Sequence, residues 1–274
     1  MKELIKNIFG NVLITLFPKK AASLEKRGLT IIDPKFNLIE RQMRYAILKN
    51  AESKNNFDKL SKIHNDYWVN QGIDVFSWNN SFTTNFLPNC TFLLDMVKEK
   101  FFENETQFDT LVEIGTGNGD VLHYLETNFP KIDKFIGIDL STEQIKLNKE
   151  KYKDNLRLEF VESDAFEWVK KEGHENTIFM TSNGVFEYFT EQQLREFIEY
   201  TNGLGKVLFV IIEPTEIDHN FEQNPNSMIY GIEKSFSHHY AKIFQDYGFK
   251  IIHHSKKILH PGSGNEMNYI LAGN

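Results

Sequence analysis

Residues 113–120 read Glu113-Ile114-Gly115-Thr116-Gly117-Asn118-Gly119-Asp120 (EIGTGNGD), between an apolar run, FDTLVEIG (108–115), and a helical one, DVLHYLETNF (120–129). Glycines at alternate positions let the backbone turn sharply and approach a ligand with no Cβ in the way. The helix that follows presents N–H groups without intrahelical partners. Outward from this loop the texture repeats. DKFIGIDLS (133–141), LRLEFVES (156–163), NTIFMTSNG (176–184) and KVLFVIIEP (206–214) read as further buried strands. EQIKLNKEKYK (143–153), AFEWVKKEG (165–173) and EQQLREFIEYTN (191–202) read as the helices between them. Such alternation implies parallel strands joined by right-handed crossovers, an α/β fold. The end departs from it: a helix over SFSHHYAKIFQDYG (235–248), then FKIIHHSKKIL and EMNYILAGN on either side of a turn rich in Gly and Pro, an antiparallel hairpin. The expected sheet is therefore five parallel strands plus a C-terminal hairpin over residues 106–274. Residues 1–105 read as a mainly helical extension that serves as a lid.

Acidic residues recur where the strands end. Asp139 closes the second strand, where it can accept both hydroxyls of a ribose; Asp164 follows the third, placed for the exocyclic amine of an adenine. With Glu113 they form a line along the carboxyl edge, where open α/β sheets bind ligands. A dinucleotide site must be weighed, since Asp139 lies 20 residues after Gly119. That fingerprint needs Gly or Ala at position 120, where this chain has Asp120. Acids on both sides of the loop, Glu113 and Asp120, would also repel a pyrophosphate. A cationic adenosine ligand is favoured, and S-adenosylmethionine has a sulfonium and no phosphate.

The successive segments EIGTGNG, GIDLS, ESDAF and TSNGVFEYF resemble the motifs of class I S-adenosylmethionine-dependent methyltransferases, over residues 106–274. The resemblance implies a Rossmann-like sheet with the terminal hairpin. It places Glu113, Gly115, Thr116, Gly117 and Gly119 around the methionine part of the cofactor, Asp139 and Leu140 at the ribose, and Asp164, Ala165 and Phe166 at the adenine. For Asp139 and Asp164 the competing role is helix N-capping. The opening LFPKKAASLEKRGLTIID (16–33) is also similar to the start of bacterial methyltransferases that modify sugars of surface polysaccharides.

Methyl transfer asks the protein to position the acceptor and remove a proton. Asn183, Glu187 and Tyr188 follow the fourth strand and Glu213 the fifth. Asn183 is the expected partner of the methionine carboxylate and amine or of the acceptor, with a turn residue before Gly184 as the alternative. His238, His239 and Glu213 are the catalytic candidates, a neutral histidine being the natural general base for a hydroxyl. Helical spacing puts Phe236, Tyr240, Ile243, Phe244 and Tyr247 on a buried face, His239 at its margin and His238 nearly opposite. The alternative for both is a solvated or capping histidine. His253 and His254 alternate on a strand, and no metal site is expected from these four. Tyr67, Trp68, Phe76 and Trp78 crowd NDYWVNQGIDVFSWNN (65–80), as a lid over the acceptor or as core packing.

Composition bounds the rest. The 274 residues carry 31 Lys and Arg against 38 Asp and Glu, with 41% hydrophobic residues and 24 Phe, which excludes disorder. The acidic balance argues against nucleic acid as a partner. The single Cys90 excludes an internal disulfide and a cysteine metal site, and fits the cytoplasm. Leu4, Ile5, Ile8, Phe9, Val12, Leu13, Leu16 and Phe17 make one apolar stripe at helical spacing. Gly10, Asn11 and Thr15 interrupt it as a signal peptide. It is expected to dock on the body, on a second subunit or, less favoured because its polar face is not strongly basic, on a membrane surface. The reading as a whole is a small-molecule methyltransferase acting on a sugar or sugar-linked hydroxyl (O-methylation, as in polysaccharide biosynthesis). An amine acceptor, an inactive binding protein and an NAD-dependent oxidoreductase are the alternatives.

Overall fold

A computed structural model describes residues 2–78, 80–102 and 108–274, with side chains from residue 3 onward except those of 73–78. Five strands run parallel: β1 (Thr110–Ile114), β2 (Lys134–Asp139), β3 (Leu158–Glu162), β4 (Thr177–Thr181) and β5 (Val207–Glu216). Two antiparallel strands complete the sheet, β8 (Lys250–Lys257) and β9 (Asn265–Gly273), and the order is β3-β2-β1-β4-β5-β9-β8. The strand order reverses at β1 and β4, the switch point beside which open α/β sheets bind ligands. The expected sheet is thus the observed one.

Period-two alternation divides each strand between two cores. Leu111, Phe135, Phe160, Ile178, Leu208 and Leu271 face one side, covered by α5 (Leu87–Phe101), α6 (Asp120–Asn128) and α7 (Thr142–Lys151). Val112, Ile136, Phe179, Phe209 and Ile270 face the other, under α8 (Ala165–Glu172), α9 (Glu191–Asn202) and α10 (Tyr240–Asp246). The crossover helices start where the sequence supplies caps: Ser141 at α7, Asp164 at α8, and a Thr190–Gln193 capping box at α9.

Ahead of the sheet stand α1 (Lys2–Leu16), α2 (Pro18–Arg27), α3 (Leu38–Ser53) and α4 (Phe57–Trp78), then a π-helical turn, Phe82–Phe86, that runs into α5. The first helices share a third core built on Leu24, Leu29, Met43, Ile47, Leu60 and Ile63. A small hairpin, β6 (Met228–Tyr230) with β7 (Ser235–Ser237), joins this core to the sheet domain through Phe236. Arg44, buried, adds a second tie by donating to Leu29 O at 2.7 Å, Thr30 O at 2.5 Å and Ile232 O at 3.2 Å.

The expected helix over 235–248 is corrected. Ser235–Ser237 pairs with β6 as a strand, and α10 begins only at Tyr240. Phe236 packs against the N-terminal core, and His238 is fully buried where the helical spacing would have turned it to solvent. Strand pairing, which local periodicity does not encode, won over a plausible helical repeat.

Phe179 lies at the centre of the second core, stacked on Phe209 with ring centroids 5.3 Å apart. Phe179→Ala should cost about 3–5 kcal/mol of stability by opening a cavity in a packed layer, read as a lowered midpoint in urea with the slope unchanged.

Candidate functional site

The glycine loop adopts the backbone its sequence allows. Gly115, Gly117 and Gly119 have φ of 72°, 50° and 76°, in the left-handed region that other residues avoid. A side chain at Gly115 would strike Val185 Cγ2 at 2.5 Å, so the loop after β1 lies directly against the loop after β4. Carboxylates then pin the loop. Asp139 Oδ2 accepts from Gly117 N at 3.0 Å and its Oδ1 from Ser141 N at 2.9 Å, while Asn148 Nδ2 donates to Gly117 O at 2.7 Å. Glu113, fully buried, accepts from the hydroxyls of Thr116 and Ser182, each at 2.8 Å. Burial pushes its pKa up to about 7 against the pull of those two hydroxyls. Burial also raises that of Asp139.

Beyond the carboxyl ends of β1–β4 lies a cavity of about 180 Å³. Gly115, Thr116, Gly117, Asp139, Leu140, Asp164, Ala165 and Asn183 line it, eight of the ten residues expected at the cofactor. Asp164 also caps α8, accepting from Phe166 N at 2.9 Å and Glu167 N at 3.2 Å, so capping and cavity lining are one placement. Glu113 and Gly119 stand behind the wall, the first holding Thr116 and Ser182, the second at the N-cap of α6 with Phe160 and Tyr152 in contact. Asp120 is turned away and paired with Lys151 at 2.6 Å. With Asp120 neutralised and Glu113 behind the wall, the charge argument against a pyrophosphate moves to Asp139 and Asp164, the charged side chains that line the cavity.

The three catalytic candidates are not brought to this cavity, and the reasons are local. His238 is spoken for: its Nδ1 meets Ser227 Oγ at 2.6 Å and its Nε2 lies 3.1 Å from both Phe186 O and Phe189 O. Burial drops its pKa to about 4. His239 stacks on Phe221, centroids 4.4 Å apart. Glu213 is fully buried and holds the turn after β4, accepting from Val185 N at 3.0 Å, Phe186 N at 3.1 Å and Glu187 N at 3.3 Å. Burial raises its pKa to about 7. Among the described residues no three His, Cys, Asp or Glu are grouped to hold a metal ion.

The other half of the cavity comes partly from the segment expected as a lid and partly from residues that no sequence signal marked. Asn65 and Trp68 of α4, Ser81, Phe82, Asn85 and Phe86 around the π turn, and Cys90 of α5 close it over Tyr188, Phe189, Leu259 and Met267. Trp68 packs on Tyr188 at 5.6 Å, and Tyr188 Oη donates to Glu233 Oε2 at 3.1 Å, which fixes that ring. Tyr67 is buried edge-on to Trp68. The side chains of Phe76 and Trp78, also expected here, lie outside the described residues. Cys90, noted in sequence only for its redox meaning, faces the cavity, and burial lifts its thiol pKa to about 12.

Residues 111–204 match a family described as a methyltransferase domain. No curated protein matches the chain in sequence. Among solved structures the chain is similar to a putative sarcosine dimethylglycine methyltransferase from Galdieria sulphuraria, at 8% identity and TM-score 0.51 over 68% of this chain and 85% of that one. The N-methyltransferase NodS from Bradyrhizobium japonicum WM9, solved with S-adenosyl-L-homocysteine, aligns at 12% identity and TM-score 0.51 over 74% and 97%. A methyltransferase from Leishmania major aligns at 10% and 0.50 over 74% and 82%. These likenesses show the class I methyltransferase fold, and the methyltransferase domain matched over residues 111–204 supports an enzyme that uses S-adenosylmethionine. The cavity fits that cofactor: the loop at its edge takes left-handed turns that only its glycines adopt readily, and the lining charges are anionic.

Two measurements follow. Asp139→Ala removes an acceptor of two backbone N–H groups beside the cavity and should weaken S-adenosylhomocysteine binding at least tenfold, about 1.5–3 kcal/mol for bonds to a charged group, in calorimetry. Unaltered affinity would remove Asp139 from the cofactor site. The second concerns pH. Burial holds Glu113 and Glu213 at about 7 and Glu187 at about 8, above the 4.5 of an open chain. The native state therefore binds more protons than the unfolded one between those values, and stability falls as pH rises from about 4.5 to 8. His64 and His238, held at about 4 by burial, act oppositely below pH 6.5. Melting temperature should accordingly drop from pH 7 to pH 9, and Glu187→Gln should flatten that limb.

Proposed function

We propose that residues 106–274 bind S-adenosylmethionine and that the helical segment ahead of them closes the acceptor end. In this reading the acceptor is a neutral, hydroxylated small molecule, best a sugar or sugar-linked compound methylated on oxygen, in the cytoplasm. One observation carries it. Trp68, Phe82, Phe86, Tyr188 and Phe189 wall that end, the amides of Asn65 and Asn85 stand among them, and no Lys, Arg or His lines it among the described residues. Aromatic faces suit the C–H face of a sugar ring and carboxamides suit hydroxyls in both hydrogen-bonding senses. An anionic group inside would find no counter-charge.

The cofactor supplies a methyl group already activated on a sulfonium. The chain's share is positional: Thr116, Gly117 and Asn183 at the methionine end, Asp139 and Leu140 at the ribose, Asp164 and Ala165 at the adenine. Trp68 and Tyr188 hold the acceptor in line and keep water out. The lining carboxylates favour a second reading, in which a protonated amine approaches and is methylated on nitrogen. Residues 1–20 we take to contact a surface outside the chain, a second copy or a membrane.

The test is turnover of S-adenosylmethionine to S-adenosylhomocysteine with neutral glycosides, primary and secondary amines, and nucleotide sugars as three panels. Turnover confined to the glycosides supports the first reading; turnover confined to amines replaces it with the second. Trp68→Ala should raise the acceptor KM about tenfold through a lost aromatic contact of about 1.5 kcal/mol, with cofactor affinity unchanged.

A further inference from the structure

Helix α1 is amphipathic the wrong way round for a helix that packs on its own domain. Its protein-facing side is largely small and polar, with Leu13 and Ile14 its apolar contacts. Gly10 lies so close to α3 that a Cβ there would meet Ala46 Cβ and Gln42 O at 2.6 Å. Asn11 and Asn50 exchange amide hydrogen bonds across the contact at 2.6 and 3.4 Å, and Asn11 reaches back to Asn7 O at 2.9 Å. The side turned outward carries Leu4, Ile5, Ile8, Phe9, Val12 and Leu16, each between 48% and 64% exposed. At 100° per residue these six fall within one continuous sector of the helix. The expected docking of the apolar stripe on the body is thus reversed: Leu13 alone of that stripe is buried. A contiguous apolar face of this kind marks an interaction surface.

The net charge of the unit that carries the face selects its occupant. Residues 1–54 hold 11 Lys and Arg against 5 Asp and Glu, a net +6 in a chain whose total is −7, so the remaining 220 residues carry −13. Lys6, on the flank of α1, and Lys19, at the start of α2, are both exposed. A second copy joined through α1 would bring one cationic unit against another; an anionic lipid surface brings the opposite charge. Among the described residues no helix is long and apolar enough to cross a membrane, which leaves the helix lying in the surface. We propose that α1 seats its Leu4–Ile8–Val12 face in the acyl boundary of an anionic phospholipid membrane, with the exposed basic side chains of α1 and α2, Lys6 and Lys19 among them, at the headgroups. The inference rests on α1 and its surroundings and is independent of the acceptor's identity.

The full-length protein would be sedimented with vesicles of phosphatidylcholine alone and of phosphatidylcholine with phosphatidylglycerol. Binding to the anionic vesicles is expected to exceed that to the neutral ones at least tenfold and to weaken with salt. Ile8→Ser with Val12→Ser should abolish it, and Lys6→Glu with Lys19→Glu should weaken it several-fold, with melting curves like the parent's because all four side chains are exposed. Absence of binding, equal binding to both vesicles, or a lipid-free dimer in sedimentation velocity that Ile8→Ser with Val12→Ser dissociates would each overturn the proposal, the last by giving the face to a second copy.

Discussion

The geometry of this site depends on buried carboxylates at the ends of three strands, each holding a loop that belongs to a neighbour. Asp139, ending β2, binds the loop after β1; Glu113, from β1, joins that loop to Ser182 after β4; Glu213, from β5, gathers three N–H groups of the turn after β4. Parallel strands make this arrangement possible because their carboxyl ends share one edge, while the loops there leave N–H groups without ladder partners. A carboxylate can accept from several donors at once, so one side chain closes each gap. The cost is desolvation, visible in the upward pKa shifts of Glu113 and Glu213 and matched in Glu187, whose Oε2 accepts from Tyr230 Oη at 2.7 Å. A frame that stores such shifts keeps its loops in place before any ligand arrives.

This explains why the cofactor end was legible in the sequence and the acceptor end only in part, through Tyr188 and the aromatic segment 65–80. Alternating strands and helices, three glycines with positive φ, and acids at fixed offsets from strand ends are local signals, and the structure places most of those residues on one cavity. Glu113 and Glu213 carry the same sequence signal as Asp139, an acid at a strand end, yet burial turns both from ligands into supports. Residue type and position on the strand cannot separate the two roles; the direction in which the neighbouring loop folds decides. His238 is the plainest case. Its place before a helix fitted a general base, but β6–β7 pairing moved it inside, where two backbone carbonyls and Ser227 occupy its ring.

The acceptor wall came from α4, the π turn and α5, where the sequence has aromatic residues without a motif. Phe82, Phe86 and Trp68 differ little in pattern from the Phe residues that fill the cores, because packing against the sheet and packing around a ligand both select large apolar side chains. What separates them is a neighbour missing on one side, a property of the assembled molecule. Asn65 and Asn85 would have been the better signal: amides on helix faces otherwise directed at the protein need a polar partner there.

The N-terminal helices follow the same logic with the opposite outcome. A helix is usually oriented by hydrophobic burial, at about 25 cal/mol per Å² of apolar surface removed from water. Here a glycine contact and paired asparagines, individually modest, orient α1 against that preference. Its share of the third core is small, Leu13 with the partly buried Ile14, while most of that core comes from α2, α3 and α4 through Leu24, Met43, Ile47, Leu60 and Ile63. A helix that fills a core with Leu13 and Ile14 alone is free to present the rest of its apolar side, and close approach at Gly10 anchors it without using that side. The same unit supplies α4, and with it Asn65 and Trp68, to the cavity. An acceptor anchored at a membrane would then meet a wall carried by the unit that touches the membrane, and the two surfaces would be set relative to one another by the packing of α1, α3 and α4.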